Sequence, residues 1–268
     1  MHPMLNIAVR AARRAGTIIT RSLHRLDEIQ VDRKGHQDFV TQIDREAEAA
    51  IIDTLLTAYP DHAILAEESG ARGSNKEFEW IIDPLDGTTN FIHGYPQFAV
   101  SIALKVNNAL DQAVIYDPTR DELFTASKGV GAQLDNRKIR VSRCRKIEHS
   151  LLATGFPVRD ATLLQKYLPS LNAFLPIASG VRRAGAASLD LAYVACGRVD
   201  GYWEYGLQPW DMAAGALIVQ EAGGIVSTPE RNDDFLDRGN IIAATPAIHD
   251  MMSLTISNAQ RAGAEKNA

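Results

Sequence analysis

Met4, Ala8, Ala11, Ala15, Ile19 and Leu23 recur at three- and four-residue steps, so residues 4 to 26 are predicted as an amphipathic helix. The basic residues between them then form a solvated face. Gly35 breaks the chain, Asp38-Phe39-Val40-Thr41 leads to Asp44, and a second helix is expected from there to Ala58, where Tyr59-Pro60 stops it. Ala63-Ile64-Leu65-Ala66 reads as a short strand that delivers Glu67. Residues 69 to 79 are rich in Gly, Ser and charge and are expected to be a mobile surface loop. Apolar runs at Trp80 to Ile82, Phe98 to Leu104, Ala113 to Tyr116 and Leu123 to Ala126 predict further strands. Gly129 and Gly131 make a G-x-G with no strand–GxGxxG–helix unit around it, so they are read as hairpin glycines, and Asp135-Asn136 as a turn.

From Ser150 onward strands and helices alternate. Strands are predicted at Leu151 to Thr154, Ile177 to Arg182, Asp200 to Glu204, Ile225 to Ser227 and Ile241 to Ala243. Helices are predicted over 161 to 174, 186 to 196, Trp210 to Ala222 and from Pro246, with a frayed tail after Gln260. This divides the chain into an α+β half, residues 1–149, and an α/β half, residues 150–268, within one compact unit.

Composition narrows the class. The chain has 268 residues, 46% apolar and 23% charged, which suits a globular protein of one large domain or two packed halves. A net charge of −5 argues against a primary role in nucleic-acid binding. Cys144 and Cys196 lie in no metal-binding spacing. With no signal-like N-terminus and no run of membrane-span length, free thiols in a cytoplasmic protein are expected, Cys196 as a core residue.

The chemistry concentrates at Trp80-Ile81-Ile82-Asp83-Pro84-Leu85-Asp86-Gly87-Thr88-Thr89-Asn90-Phe91. An apolar strand runs into two carboxylates, each of which must be paired or desolvated at cost. A divalent cation resolves that cost, and the two acids with the Leu85 carbonyl are the hard oxygen donors Mg²⁺ prefers. The following Gly-Thr-Thr-Asn reads as a helix start whose free N–H groups and hydroxyls face an anion. A capped turn is the alternative, since each residue type is a turn former. A calcium loop is ruled out, because the twelfth position counted from Asp83 is Gly94 and not an acid.

The string Asp83 to Phe91 resembles the first signature of the inositol monophosphatases. Trp210-Asp211-Met212-Ala213-Ala214-Gly215, continuing to Glu221-Ala222-Gly223-Gly224, resembles their second, and Glu67-Glu68-Ser69 their upstream metal-binding segment. Met1 to Ala8 and Leu189-Asp190-Leu191-Ala192-Tyr193-Val194-Ala195 are most similar to the bacterial SuhB-type branch. The resemblance implies a layered α-β-α-β-α sandwich of the sugar-phosphatase type and Mg²⁺-dependent hydrolysis of myo-inositol monophosphate. By resemblance, Glu67, Asp83 and the Leu85 carbonyl hold one Mg²⁺, and Asp83, Asp86 and Asp211 a second. A weaker third ion beside Glu67 is usual in the family.

It further implies a water nucleophile activated by Glu67 and Thr88. Asp44 would hydrogen-bond the Thr88 hydroxyl, although Asp44 and Asp211 both also fit helix caps. Backbone N–H groups of Gly87 and Thr88 would cradle the phosphate. Glu204, with Asp86, Arg182 and the Gly185 to Ala187 backbone, would contact the substrate, and Arg182 also reads as a plain surface residue. Gln208 stands where animal relatives carry His. The alternatives are a phosphatase of other small polyol, sugar or nucleotide phosphates, or a partner of transcription antitermination factors and RNA polymerase. A homodimer is expected, and no membrane partner.

Overall fold

The computed structural model describes residues 2–28, 31–35, 38–75 and 77–266, with side chains over 2–26, 41–75 and 77–262. Helix α1 (Pro3–Ser22) opens with Pro in its first turn, where the missing N–H costs nothing. A 3₁₀ segment (Leu23–Glu28) and a hairpin of β1 (Val31–Gly35) and β2 (Asp38–Thr41) lead to α2 (Gln42–Ala58). Thr41 and Asp44 form a reciprocal capping box there.

The large sheet is built from β3 (Ala63–Ala66), β4 (Gly70–Arg72), β5 (Phe78–Asp86), β6 (Ala99–Val106), β7 (Ala109–Asp117), β8 (Glu122–Ser127), β9 (Gly131–Leu134) and β10 (Arg137–Lys138). Its order is β10-β9-β8-β7-β6-β5-β3-β4, antiparallel except for the β3–β5 pair. The short helix α3 (Thr88–Ile92) follows β5 directly. The stretch from 69 to 79, expected as a loop, is therefore partly ladder: β4 folds back on β3, and Phe78 and Glu79 already pair with β6. Backbone hydrogen bonding to a neighbouring strand overrides its polar composition.

The second sheet contains β11 (Leu151–Thr154), β12 (Gly180–Arg182), β13 (Gly201–Tyr205), β14 (Ile225–Ser227) and β15 (Asn240–Ala244), in the order β12-β11-β13-β15-β14. Its helices are α4 (Ala161–Phe174), α5 (Ala187–Ala195), α6 (Pro209–Glu221), α7 (Phe235–Arg238) and α8 (Pro246–Lys266). The last helix runs on to Lys266 instead of fraying after Gln260, and its buried Ile248, Met252 and Ile256 anchor it.

Three apolar cores bind five layers, the middle one filling both faces of the central helices α5 and α6. Ala8, Ala11, Ala12 and Ala15 of α1 let it lie close to α2 and over β6 and β7 on the outer face of the large sheet, while α2 covers β5. Helices α5 and α6 carry apolar residues all round, because they are sandwiched between the two sheets. On the far face of the second sheet, Tyr167 and Phe174 of α4 meet Trp203 and the α8 residues. The α-β-α-β-α layering expected from the resemblance is the one observed. Among the described residues no helix is long and apolar enough to cross a membrane. Cys144 and Cys196 are free thiols and half-buried, so Cys196 borders the core and is not sealed inside it.

Candidate active site

The acids converge for a reason written in the strand register. On a regular strand Asp83 and Asp86, three residues apart, would point to opposite faces. The β5–β6 ladder instead slips between them: Asp83 pairs with Ser101 and Asp86 with Ala99, so three steps on β5 match two on β6. This bulge turns both carboxylates to the face covered by α6. Glu67 leaves the end of β3, which runs parallel to β5, and its N–H donates to Ile82 O at 3.1 Å. Asp211 arrives from the first turn of α6, where its carboxylate accepts the Gln208 N–H at 2.7 Å. Ser101 Oγ donates to Trp210 O at 3.2 Å and ties the start of α6 to β6.

Electrostatics mark the cluster. Burial, followed by the charges of Glu67, Asp86 and Asp211, pushes Asp83 well above the usual carboxylate range, and Glu67 shares a hydrogen bond with it. Asp211 is pushed well up by burial and then by Asp86. Asp86 is raised by burial to about 6, against hydrogen bonds from Ser188 and Ala187 that favour its charge. Among the four acids themselves no positive charge offsets this repulsion.

Among the described residues no three His, Cys, Asp or Glu side chains are already arranged as a closed metal cage. The donor set nonetheless fits Mg²⁺ in kind: the buried carboxylates of Asp83 and Asp86, the half-buried ones of Glu67 and Asp211 and the Leu85 carbonyl are all hard oxygens, none of them sulfur or imidazole.

Gly87 links strand to helix at φ 93°, and a Cβ there would lie 2.9 Å from Gln97 O, so only Gly serves. The Thr88 hydroxyl that follows reaches Asp44 Oδ1 at 2.9 Å and Leu85 O at 3.1 Å. Asp44 is fully buried, and its other oxygen accepts from the Thr41 N–H and hydroxyl at 2.8 and 2.5 Å. Both sequence readings of Asp44 hold in one side chain: one oxygen caps α2, the other takes Thr88.

Glu204 stands at the rim, half-buried, with its carboxylate accepting from the Tyr202 hydroxyl. Burial raises it to about 7, with Arg183 and Arg159 opposing and Asp86 reinforcing the shift. The Ala187 N–H is directed at Asp86, and the Gly185 carbonyl lies 3.3 Å from Asn90 Nδ2. Arg182 is not brought to the acids: it is exposed on β12 and its guanidinium donates to the Val181 carbonyl. The cation that faces Glu204, Asp86 and Asp190 is Arg183, stacked over Phe156 at 5.5 Å.

Sequence reasoning passed over Ser188, Tyr202, Gly155, Asp190 and Glu48. Glu48, on α2, accepts the N–H groups of Glu68 and Ser69 at 2.8 and 2.9 Å and so fixes the turn that carries Glu67. No local signal distinguishes it from a solvated helix glutamate. A groove of about 900 Å³ behind this turn, lined by Arg45, Ile52 and Arg72, contains none of the converging acids.

The model of the inositol monophosphatase family matches residues 1–262 of this chain. Nus factor SuhB of Pseudomonas aeruginosa is 53% identical over 261 residues, covering 96% of each chain. The crystal structure of extragenic suppressor protein suhB from Bartonella henselae superposes with a TM-score of 0.92 at 44% identity, covering 95% of this chain and 98% of that one. Inositol monophosphatase from Anabaena gives a TM-score of 0.84 at 40% identity, with 95% of each chain covered. With its acids gathered at the end of β5 and residues 1–262 matched, the chain belongs to the inositol monophosphatase family.

Proposed function

We propose that this protein is a Mg²⁺-dependent phosphatase that hydrolyses myo-inositol monophosphate to inositol and phosphate. The observation that carries the reading is the convergence of Glu67, Asp83, Asp86 and Asp211 beside a Thr88 hydroxyl held by Asp44. Glu67, Asp83 and the Leu85 carbonyl would hold one Mg²⁺, and Asp83, Asp86 and Asp211 the second. When bound, the ions supply the charge that offsets the phosphate and make water a competent nucleophile near neutral pH.

The chain's own residues do the rest. The Thr88 hydroxyl donates its hydrogen bond to Asp44, which leaves its oxygen lone pairs to accept a hydrogen bond from the attacking water. Glu67 stands to take the water's second proton, and the departing inositol oxygen takes up a proton from solvent. The N–H groups of Gly87 and Thr88 would hold the phosphate oxygens, a reading supported by the φ of 93° at Gly87, which turns the backbone there. Glu204, outside the acid cluster, accepts hydrogen bonds from the polyol hydroxyls.

The test is phosphate release by purified protein with Mg²⁺ across myo-inositol monophosphate, β-glycerophosphate, sugar phosphates and nucleotides. Selective, chelator-sensitive hydrolysis of the inositol ester supports the reading. A preference for a nucleotide or sugar phosphate moves the substrate and leaves the metal chemistry.

The name Nus factor SuhB, carried by a relative sharing 53% of residues, favours a second reading: a partner in transcription antitermination with RNA polymerase. That role needs a surface and not the acids. Asp83→Asn separates the two, since it removes hydrolysis and should leave partner binding in a pull-down intact.

A further inference from the structure

Glu204 does not reach the site on its own. Tyr202 and Glu204 are two residues apart on β13 and so share the face that looks toward α5 and α6, while Trp203 between them enters the core on the other side. The Tyr202 ring is fully buried in the middle core. A Phe would fill that space equally well. What Tyr adds is a hydroxyl, and that hydroxyl donates to Glu204 Oε2.

The other wall comes from the neighbouring strand. β11 runs parallel to β13 with Thr154 opposite Trp203, which places buried Gly155 against Glu204. A Cβ on Gly155 would lie 2.0 Å from each of the three carboxyl atoms of Glu204. The absent side chain of Gly155 is therefore the space that the carboxyl group occupies.

We propose that Tyr202 is a positioning residue: its hydroxyl and the bare backbone of Gly155 form a socket that holds the Glu204 carboxylate in one orientation, ready to accept hydrogen bonds from the hydroxyls of a polyol phosphate. This rests on the reading of Glu204 as the substrate-binding acid. The socket sets substrate choice by preorganisation, because a carboxylate already locked loses little rotamer freedom when the polyol arrives.

The charges facing Glu204 are mixed. Arg183 after β12 and Arg159 after β11 favour its ionised form, and Asp86 at the end of β5 opposes it. Asp190 on α5, Asp211 on α6 and Tyr167 on α4 also feel it. Burial raises Glu204 to about 7, and the Tyr202 hydrogen bond is the first influence holding it down. Removing that hydroxyl shifts the titration upward.

The experiment compares wild type with Tyr202→Phe and Glu204→Gln, on myo-inositol monophosphate and β-glycerophosphate, at fixed Mg²⁺ across pH 5.5 to 9. For Tyr202→Phe, the ratio of KM for the inositol ester to KM for β-glycerophosphate should rise roughly tenfold, as for a lost hydrogen bond to a charged group. The pH mid-point of KM for the inositol ester should also move upward. Gly155→Ala, if folded by its melting curve, should copy the substrate preference of Glu204→Gln. An unchanged KM ratio and mid-point in Tyr202→Phe, with Glu204→Gln impaired, overturns the socket and leaves Glu204 as the substrate acid. An unchanged ratio in Glu204→Gln overturns both.

Discussion

Ser188 donates twice to one oxygen of Asp86, through its hydroxyl at 2.5 Å and its N–H at 2.7 Å, across 102 residues of chain. It sits in the first turn of α5 and is fully buried. One oxygen of a proposed Mg²⁺ ligand is thereby fixed from the opposite half of the molecule. Groups that orient a ligand from behind commonly contribute 10–100-fold in metal affinity. Ser188→Ala should weaken Mg²⁺ binding about tenfold by isothermal titration calorimetry, with the fold kept. Wild-type affinity in a folded Ser188→Ala protein would show that Asp86 needs no such support.

Asp83→Asn should abolish phosphate release, because an amide is a poor ligand for a shared divalent ion. Its effect on stability without metal has the opposite sign. Burial and the neighbouring acids raise the folded pKa of Asp83 well above its ordinary 3.8. The folded state then holds a proton that the unfolded state releases, so this contribution is full below 3.8 and is lost as pH rises toward the folded value. In chelator, the melting temperature of Asp83→Asn relative to wild type should climb between pH 4 and pH 8. A difference that stays flat with pH contradicts the repulsion.

Thr88→Ala removes the hydroxyl that Asp44 holds at 2.9 Å. It should lower kcat about a hundredfold, within the usual range for loss of proton-transfer assistance, with little change in KM. Thr88→Ser keeps the hydroxyl and should retain most of the activity. If Ser and Ala behaved alike in steady-state kinetics, the hydroxyl would not be the working group.

His249 lies buried with Nε2 2.9 Å from Ser227 Oγ, and burial, with Arg231, holds its pKa below the ordinary 6.5. The unfolded chain binds a proton there more readily than the folded one. Stability from this site is therefore complete above 6.5 and is lost as pH falls below it. Urea unfolding should show lower stability at pH 5 than at pH 7.5, by a margin that His249→Asn reduces. An equal loss in wild type and mutant would assign acid sensitivity elsewhere.

Much of this molecule is local in origin and could be read from the chain. The spacing of Met4, Ala8, Ala11, Ala15 and Ile19 gave α1, and Asp44, read as a helix cap, marked the start of α2 to within a turn, the N-cap being Thr41. The apolar run into Asp83 and Asp86 marked a candidate cation site, since two acids at the end of a buried strand are unfavourable without one. The family resemblance then supplied the layering, which no periodicity contains.

The rest needed the tertiary structure. Whether Asp83 and Asp86 face together depends on a one-residue slip against β6, a property of the pair of strands and not of either alone. Ser188 reads as an ordinary helix residue until α5 docks against the end of β5. Gly155 looks like a turn glycine until the parallel register of β11 and β13 sets it under Glu204. Of two adjacent arginines, the resemblance selects Arg182 and the fold turns Arg183 toward the acids. Sequence alone marked most of the helices, the longer strands and the candidate acids, because helix period, caps and turn formers act within a few residues. The orientation of each functional side chain was decided by register and packing between segments up to 102 residues apart, where no pattern along the chain records which groups will meet.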